Sequence, residues 1–248
     1  MTIEEFFKAN PKPAIAFSGG TDSAYLLYEA KSCGADAGVY YVRTGFQPGF
    51  EFEDAVRLAE ELGIKLRVIE YSAFEDEEIC ENTAERCYLC KKKMLLALKK
   101  RAAEDGFSTV IDGTNASDDG GDRPGMRALA ELGVRSPLRE CGLTKSEIRR
   151  LSKAAGLFTY NKPSYACLAT RIPTGEKITP ELLEKTEKAE AAVRALGFSD
   201  FRIRVFNGAA RIQVKSDEIV RAAEMADKLC AAAEPYFDSV LLDLSVRR

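Results

Sequence analysis

Short apolar runs alternate with amphipathic segments through most of the chain. Each run has the length of a buried strand, and the segments between the runs repeat their apolar positions at helical spacing. The predicted strands lie at residues 14–17, 38–42, 65–69 and 109–112. The predicted helices lie at residues 2–9, 24–30 and 50–62 and around 94–98. Strands that alternate with helices predict an α/β fold, with a doubly wound parallel sheet covered on both faces.

Three more elements are expected after the fourth strand. A helix ends near Gly133, residues 134–138 form an edge strand, and a further helix ends at Ala155. Thr144 followed by Glu147 has the spacing of a capping box, so it marks where that last helix begins.

A long irregular stretch, residues 157–177, separates this part from the rest of the chain. The order beyond it is helix, strand, strand, helix and strand, at residues 180–196, 201–206, 209–214, 217–233 and 239–244. Asn207-Gly208 is a strong two-residue hairpin signal between the first two of these strands. We place a boundary after Thr170, which predicts an α/β domain over 1–170 and a smaller α+β domain over 171–248.

Composition narrows the class of protein. The net charge of −3 and the lack of a long basic run argue against nucleic acid as a partner. No apolar run approaches the ~20 residues of a membrane span. The N-terminal stretch from Met1 to Lys8 is acidic and amphipathic, unlike a signal peptide. We therefore expect a cytoplasmic protein with no membrane partner.

The chain has seven cysteines and no histidine. An odd number of cysteines without a secretory signal makes a disulfide framework unexpected. The lack of histidine excludes Ser-His and Cys-His catalysis and removes the commonest zinc ligand. Proton transfer would have to use carboxylates, cysteine, lysine, tyrosine or the substrate.

A glycine turn follows the first strand. Its candidate phosphate-binding residues are Ser18, Gly19, Gly20, Asp22 and Ser23. Asp22 and Ser23 are interpreted as caps of the next helix. The glycines let backbone N–H groups approach an anion, and the helix end adds partial positive charge. The spacing is that of neither a Walker A loop nor a dinucleotide fingerprint.

Further candidates follow the other strands. Arg43, with Thr44, comes directly after the second strand, and Asp112 and Asn115 come at the end of the fourth. Ligands bind beyond the carboxyl ends of parallel strands, so these residues are expected at a nucleotide site. Carboxylates suit Mg²⁺. Asp22 and Asp112 are the preferred ligands, and the other candidates are Asp118, Asp119 and Asp122.

Cys87-x-x-Cys90 has four interpretations. It suits a redox pair at a helix N-terminus, part of a zinc site completed by Cys80, Cys141 or Cys167, or two buried cysteines. A three-cysteine site with Cys167 would suit an iron–sulfur cluster that has one open iron. Cys167 lies in an irregular loop near Arg171, and such a positive setting favours a thiolate.

The predicted hairpin carries an unusual charge pattern. A turn at 207–208 pairs Arg204 with Arg211 and Arg202 with Gln213, and places all four side chains on one face. Opposed arginines repel unless an anion lies between them, and the planar guanidinium suits phosphate or carboxylate. The alternative is a solvated face whose acidic neighbours come from another segment.

These motifs together resemble the LarE family of the PP-loop ATP pyrophosphatase superfamily, whose fold is adenine nucleotide alpha hydrolase-like. The most specific match is the run Lys162-Pro-Ser-x-x-Cys-Leu-Ala-x-Arg171. The other matching stretches are 14–23, 85–91, 112–115, 123–125, 134–139 and the Arg-x-Arg hairpin. The match spans nearly the whole chain.

The resemblance implies an ATP-dependent sulfur transferase of nickel-pincer nucleotide biosynthesis. ATP adenylates a carboxylate of pyridinium-3,5-biscarboxylic acid mononucleotide, and sulfur then replaces the activated oxygen. In one branch the cysteine matched by Cys167 gives up its own sulfur, whereas in the other three cysteines hold a [4Fe-4S] cluster that carries a sulfide. We favour the cluster branch because Cys87 and Cys90 are present beside Cys167.

The resemblance also implies that Arg202, Arg204 and Arg211 hold the substrate's phosphate and carboxylate, and we add Arg171 as a substrate ligand. Gln213 departs from relatives that have an acid there. We expect Mg²⁺ as a cofactor, and a homo-oligomer in which the C-terminal domain binds substrate or joins subunits. The alternatives are a tRNA thiolase of the PP-loop group and a non-catalytic adenine-nucleotide-binding protein.

Overall fold

The computed structural model describes residues 1–118 and 124–247. Asp119 and Asp122, two of the candidate magnesium ligands, and Arg123 of the family motif lie outside the described residues. The chain divides into two compact units, one formed by 1–73 and 85–164 and the other by 74–84 and 165–248. The contacts thus divide the chain after Ser164, and the domain limits 1–170 and 171–248 stay a prediction.

The secondary structure follows the predicted order. The strands are β1 (Pro13–Ala16), β2 (Gly38–Arg43), β3 (Leu66–Glu70), β4 (Thr109–Asp112), β5 (Arg202–Phe206), β6 (Ala209–Gln213) and β7 (Val240–Leu242). The helices are α1 (Ile3–Ala9), α2 (Thr21–Ser32), α3 (Gly49–Glu61), α4 (Glu77–Cys80), α5 (Arg86–Glu104), α6 (Pro124–Glu131), α7 (Pro137–Glu140), α8 (Lys145–Ala154), α9 (Pro180–Ala195), α10 (Ile219–Glu224) and α11 (Ala226–Ala233).

The first unit is built on a four-stranded sheet in the order β3-β2-β1-β4, and every pairing is parallel. Alternate residues of a strand serve opposite faces. Ile15 of β1 belongs to one apolar core with residues of α1, α2, α3 and α8. Its neighbour Ala14 belongs to a second core with residues of α5 and α6. The sheet is therefore covered on both faces, which confirms the predicted α/β fold.

Two local predictions for this unit were wrong. Gly20 rather than Asp22 or Ser23 is the N-cap of α2, so these two residues lie in its first turn. The edge strand over 134–138 is reduced to a single parallel bridge between Ile111 and Arg135. Pro137 begins α7 instead, since proline lacks the N–H that a further ladder bond requires and suits the first helical position.

The second unit contains the predicted hairpin. Asn207 and Gly208 both have positive φ, 49° and 79°, as a tight hairpin turn requires. The register pairs Arg204 with Arg211 and Arg202 with Gln213, as predicted, and β7 adds to β6 in parallel. The helix predicted over 217–233 is interrupted at Met225, where α10 ends.

Segment 74–84 joins the second unit through Asn82. This side chain is fully buried, and its Nδ2 donates hydrogen bonds to the carbonyls of Pro173 (2.8 Å) and Glu176 (3.0 Å). Main-chain bonds from Gly175 to Asn82 and from Ile178 to Cys80 add to this connection. This acidic segment, which contains the short helix α4, thus packs with residues about ninety positions later.

Throughout residues 1–118 and 124–247, no helix combines the length and the apolar character that crossing a bilayer would require.

Candidate functional site

The glycine turn after β1 is a compact hydrogen-bonded loop. Ser23 Oγ lies 3.0 Å from Ser18 Oγ and accepts a bond from the Ser18 N–H at 3.3 Å. Ser23 Oγ also donates to the Gly20 carbonyl at 3.2 Å, and the Gly20 N–H donates to Ser18 Oγ at 3.4 Å. The two serines therefore bond to each other across the turn. No side chain caps the start of α2 in this part of the structure, so its first N–H groups face the turn.

Glycine is required at position 19 for two reasons. Its φ is +74°, which disfavours any residue with a side chain. A Cβ there would also lie 3.0 Å from Ala55 Cβ and 3.0 Å from the carbonyl oxygen of Glu51. The turn is thus pressed against helix α3.

The end of β4 packs against the same turn. A Cβ at Gly113 would lie 2.7 Å from the Ser23 nitrogen, so the two backbones approach each other as closely as glycine allows. This contact brings Asp112 and Asn115 to the first turn of α2, where Asn115 Nδ2 donates to Asp22 Oδ2 at 3.2 Å. The structure therefore brings Asp22 and Asn115 together at the start of α2, beside the turn that contains Ser18.

Asp112 and Asn115 are both buried, and both make hydrogen bonds within the protein. Asp112 accepts hydrogen bonds from Thr114 Oγ1 (2.7 Å) and Ser136 Oγ (2.7 Å). Asn115 accepts from the Ser117 N–H at 2.7 Å, while its own N–H donates to Asp118. These bonds hold the loop after β4 in a fixed shape.

Three lysines to which the sequence analysis gave no role at the nucleotide site are paired with acids around the turn. Lys145 Nζ lies 2.8 Å from both carboxylate oxygens of Asp22. Lys91 Nζ lies 3.6 Å from Asp112 Oδ2. Since lysine prefers the last turn of a helix over the first, Lys145 at the start of α8 was a signal available in the sequence.

Lys162, the third lysine, is nearly buried. Its side chain is 12% exposed and its Nζ lies 2.7 Å from Asp54 and 3.2 Å from Glu51. The same ammonium donates to the carbonyl of Gly19 at 3.4 Å. Lys162 therefore links the glycine turn to α3.

Arg43 lies at the end of β2, as predicted. Its side chain is half exposed, 3.7 Å from Glu70, and its guanidinium lies over the ring of Phe52 at 5.0 Å. No described contact joins it to the glycine turn, so its assignment to the nucleotide stays a prediction.

The Cys-x-x-Cys pair lies at the start of α5. Cys87 is exposed and Cys90 half-buried, and Arg86 Nη2 lies 3.3 Å from Cys87 Sγ. Cys90 Sγ lies 3.8 Å from the sulfur of Met94. No disulfide joins any two cysteines among the described residues.

The predicted metal sites depend on cysteine and carboxylate side chains. Thiols suit iron and carboxylates suit magnesium. Within the described ranges, however, no three cysteine, aspartate or glutamate side chains are gathered as ligands of a metal ion. The [4Fe-4S] site of Cys87, Cys90 and Cys167 therefore stays a prediction, as does the Mg²⁺ site.

Cys167 lies in the second unit, directly before a short 3-10 helix, Leu168–Arg171. It is half-buried, and its carbonyl accepts hydrogen bonds from Thr170 Oγ1 (2.8 Å) and from Arg171 Nη1 (3.4 Å). Its backbone is thus held by the residues that follow it.

The four predicted substrate arginines differ in their surroundings. Arg171 is buried, and its guanidinium makes a bidentate pair with Glu190 at 2.7 and 3.2 Å. Those contacts favour a structural role for Arg171. Arg204 donates to Gln213 and to the Thr170 carbonyl, and Arg211 lies 3.4 Å from Asp243.

Burial and neighbouring positive charge lower the pKa of two of these arginines. Loss of hydration, with the charge of Arg171 added to it, lowers the pKa of Arg202 to about 10. The pKa of Arg204 is lowered by burial and then by Arg171 and Arg211. Burial is the larger cause for both arginines, so an anion bound beside them would favour their charged forms and raise both pKa values.

Comparison with known proteins gives the family. No protein-family model matches the chain. It is 32% identical over 220 residues to the pyridinium-3,5-bisthiocarboxylic acid mononucleotide synthase of Lactiplantibacillus plantarum, and the match covers 88% of this chain and 80% of the synthase. The chain belongs to the LarE family.

Two further relatives of this LarE-family chain are uncharacterized proteins. One, from Synechocystis sp., is 35% identical over 220 residues, covering 88% of this chain and 81% of the relative. The other, from Methanocaldococcus jannaschii, is 30% identical over 247 residues, and the match covers 99% of this chain and 94% of the relative. The parallel four-stranded sheet and glycine turn are consistent with the PP-loop-type domain that the resemblance implied.

Proposed function

We propose that this chain is an ATP-dependent sulfur transferase that makes pyridinium-3,5-bisthiocarboxylic acid mononucleotide from the corresponding biscarboxylic acid. The observation that carries the proposal is the match to the named synthase over 88% of the chain. The glycine turn, pressed between α3 and the end of β4, supports it as a site for the phosphates of ATP.

The first unit would activate the substrate. A carboxylate oxygen attacks the α-phosphorus of ATP, the bond to the bridging oxygen breaks, and pyrophosphate leaves. Ser18, Ser23 and the N–H groups at the start of α2 would bind the departing phosphates. Mg²⁺, when bound, would be held by Asp22 or Asp112 and would neutralise phosphate charge.

The second unit would transfer sulfur. The thiolate of Cys167 attacks the activated carbonyl carbon and AMP leaves, giving a thioester. Removal of the Cα proton then breaks the Cβ–S bond, which leaves a thiocarboxylate and a dehydroalanine without net oxidation. Arg202, Arg204 and Arg211 would hold the anionic substrate. A [4Fe-4S] cluster on Cys87, Cys90 and Cys167, when bound, would instead supply a sulfide.

The two half-reactions can be measured separately. Pyrophosphate release from ATP should depend on the pyridinium biscarboxylate. Cys167→Ala should keep that release and lose the thiocarboxylate product, because only the second step needs the thiol. Cys230→Ala in α11 is the matched cysteine control and should retain both. Thiocarboxylate formation by Cys167→Ala would contradict the assignment.

Anaerobic purification decides between the sulfur sources. A cluster predicts iron and sulfide in the wild type and their loss in Cys90→Ala. An iron-free anaerobic protein whose mass falls by the elements of hydrogen sulfide at residue 167 after turnover would identify the sacrificial route.

A further inference from the structure

The contact between Lys145 and Asp22 links two segments that are 123 residues apart in the sequence. Lys145 Nζ lies 2.8 Å from each carboxylate oxygen of Asp22, in the first turn of α2. Asn115 bonds to the same carboxylate at 3.2 Å, and the Lys145 main-chain N–H donates to Ser117 Oγ at 3.0 Å. Asp22 therefore holds the ammonium beside the glycine turn, and Ser117 holds the main chain of Lys145.

The position of Lys145 is unusual for a lysine. It is the first residue of α8, where the helix dipole favours acids, and Glu147 two residues later satisfies that preference through the Thr144 capping box. The helix thus gains nothing from a cation at this point. Lys145 pairs instead with Asp22, which lies in a different helix, α2.

The negative charge of Asp22 at the glycine turn explains why a lysine is needed there. A carboxylate at the start of α2 would repel a phosphate that approaches the same N–H groups, and the turn has no lysine of the Walker A kind. The pair with Lys145 cancels the charge of Asp22. Lys162, by comparison, lies beside two acids, Glu51 and Asp54, whose combined negative charge is larger than its single positive charge.

We propose that Lys145 binds the terminal phosphates of the nucleotide, and that Asp22 holds its ammonium beside the turn until they arrive. This inference rests on the proposed function, because it takes ATP as the ligand of the turn. A triphosphate carries several negative charges where Asp22 carries one, so the ammonium would shift toward the phosphates when they bind. After cleavage the same ammonium would contact pyrophosphate, whereas AMP would lie beyond its reach.

The test is calorimetric titration of Lys145→Met with three probes, namely ATP, pyrophosphate and AMP. Loss of one charge-assisted bond should weaken ATP and pyrophosphate about tenfold or more, and AMP binding should stay unchanged. Lys153→Met is the matched control, an exposed lysine on the same helix that should bind all three probes like the wild type. Lys145→Arg should recover most of the pyrophosphate affinity.

A measurement on the wild type keeps the test independent of how the variant folds. Pyrophosphate should protect Lys145 from acetylation more than AMP does, and should leave Lys153 unprotected. Unchanged pyrophosphate binding by Lys145→Met, an equal loss of AMP binding, or equal protection by the two probes would each overturn the inference. A wild type that binds ATP and pyrophosphate but makes no thiocarboxylate would overturn the proposed function alone.

Discussion

Arg171 and Glu190 form a buried bidentate ion pair in the second unit, with side chains 0% and 2% exposed. The carboxylate also accepts a hydrogen bond from the main-chain N–H of Ile203 in β5 at 3.0 Å and another from the Tyr165 hydroxyl. Arg171 Nη1 in turn donates to the carbonyls of Ala166 and Cys167. One carboxylate on α9 therefore fixes the backbone on which Cys167 lies.

Removing one member of this pair should destabilise the protein strongly. Glu190→Met leaves a buried guanidinium without its counterion, for which about 3–5 kcal/mol is expected. The double variant Arg171→Met with Glu190→Met should regain part of that loss, because no buried charge remains. Urea unfolding of the two single variants and the double variant measures the coupling.

The control lies on the same helix. Glu184→Met removes an exposed pair with Lys188, and its stability should stay close to that of the wild type. A Glu190→Met variant as stable as Glu184→Met would show that the buried pair does not hold the Cys167 segment.

The hairpin shows what the sequence could specify. Its register followed from two residues, Asn207 and Gly208, because a two-residue turn leaves one way to pair the strands. The capping box of Thr144 and Glu147 likewise acts within one helical turn, and it was predicted correctly. Turn and capping signals of this kind involve residues within a few positions of each other, so the sequence alone can show them.

The features that were missed depend on distant partners. The pair between Asp22 and Lys145 spans 123 residues, so the unusual place of Lys145 in the first turn of α8 could not identify Asp22 as its partner. Ser23 is an exception, because its partners are near neighbours: its residue type favours a cap position, but its hydroxyl bonds back to Ser18 and Gly20 instead. Arg171 was added as a substrate ligand, and the sequence did not show that α9 supplies a carboxylate that engages its guanidinium.

A second prediction separates backbone strain from close packing at the glycine turn. Gly19 and Gly34 have nearly the same φ, +74° and +70°, but a Cβ at Gly34 would meet nothing within 4 Å. Both alanine variants should lose about 1–2 kcal/mol to the left-handed conformation. Gly19→Ala should also lose ATP binding, since its Cβ would press on Ala55 and Glu51. Calorimetry with ATP checks this, and equal ATP affinity in the two variants would contradict the packing argument.

A third prediction concerns the order in which the thiols react. Cys87 is exposed, whereas burial raises the pKa of Cys80 and of Cys141 and so reduces their thiolate. In iron-free protein iodoacetamide should therefore label Cys87 well before these two, as peptide mass spectrometry would show. A bound cluster should protect Cys87, Cys90 and Cys167 together and leave Cys141 unchanged. Protection of Cys87 alone would speak against a shared cluster.

The last prediction concerns Arg202, whose guanidinium is buried near Arg171. Its folded pKa, about 10, lies below the ordinary 12.5, so the folded state holds the charged form at a cost. That cost is present in full below pH 10 and diminishes as pH rises from 10 toward 12.5, because the folded state then releases its proton first. At pH 7 the ligand-free Arg202→Met variant should therefore melt no lower than the wild type.

The same variant should respond less to an anionic ligand. Nicotinic acid mononucleotide, which carries a phosphate and a carboxylate on a pyridinium nucleotide, should raise the melting temperature of the wild type because its negative charge would favour the charged form of Arg202. Arg202→Met should lose most of that shift, while Lys188→Met, an exposed substitution in the same unit, should keep it. Differential scanning fluorimetry with and without the ligand measures both quantities. If Arg202→Met melted lower than the wild type and kept the full shift, the arginine would serve the fold rather than the substrate.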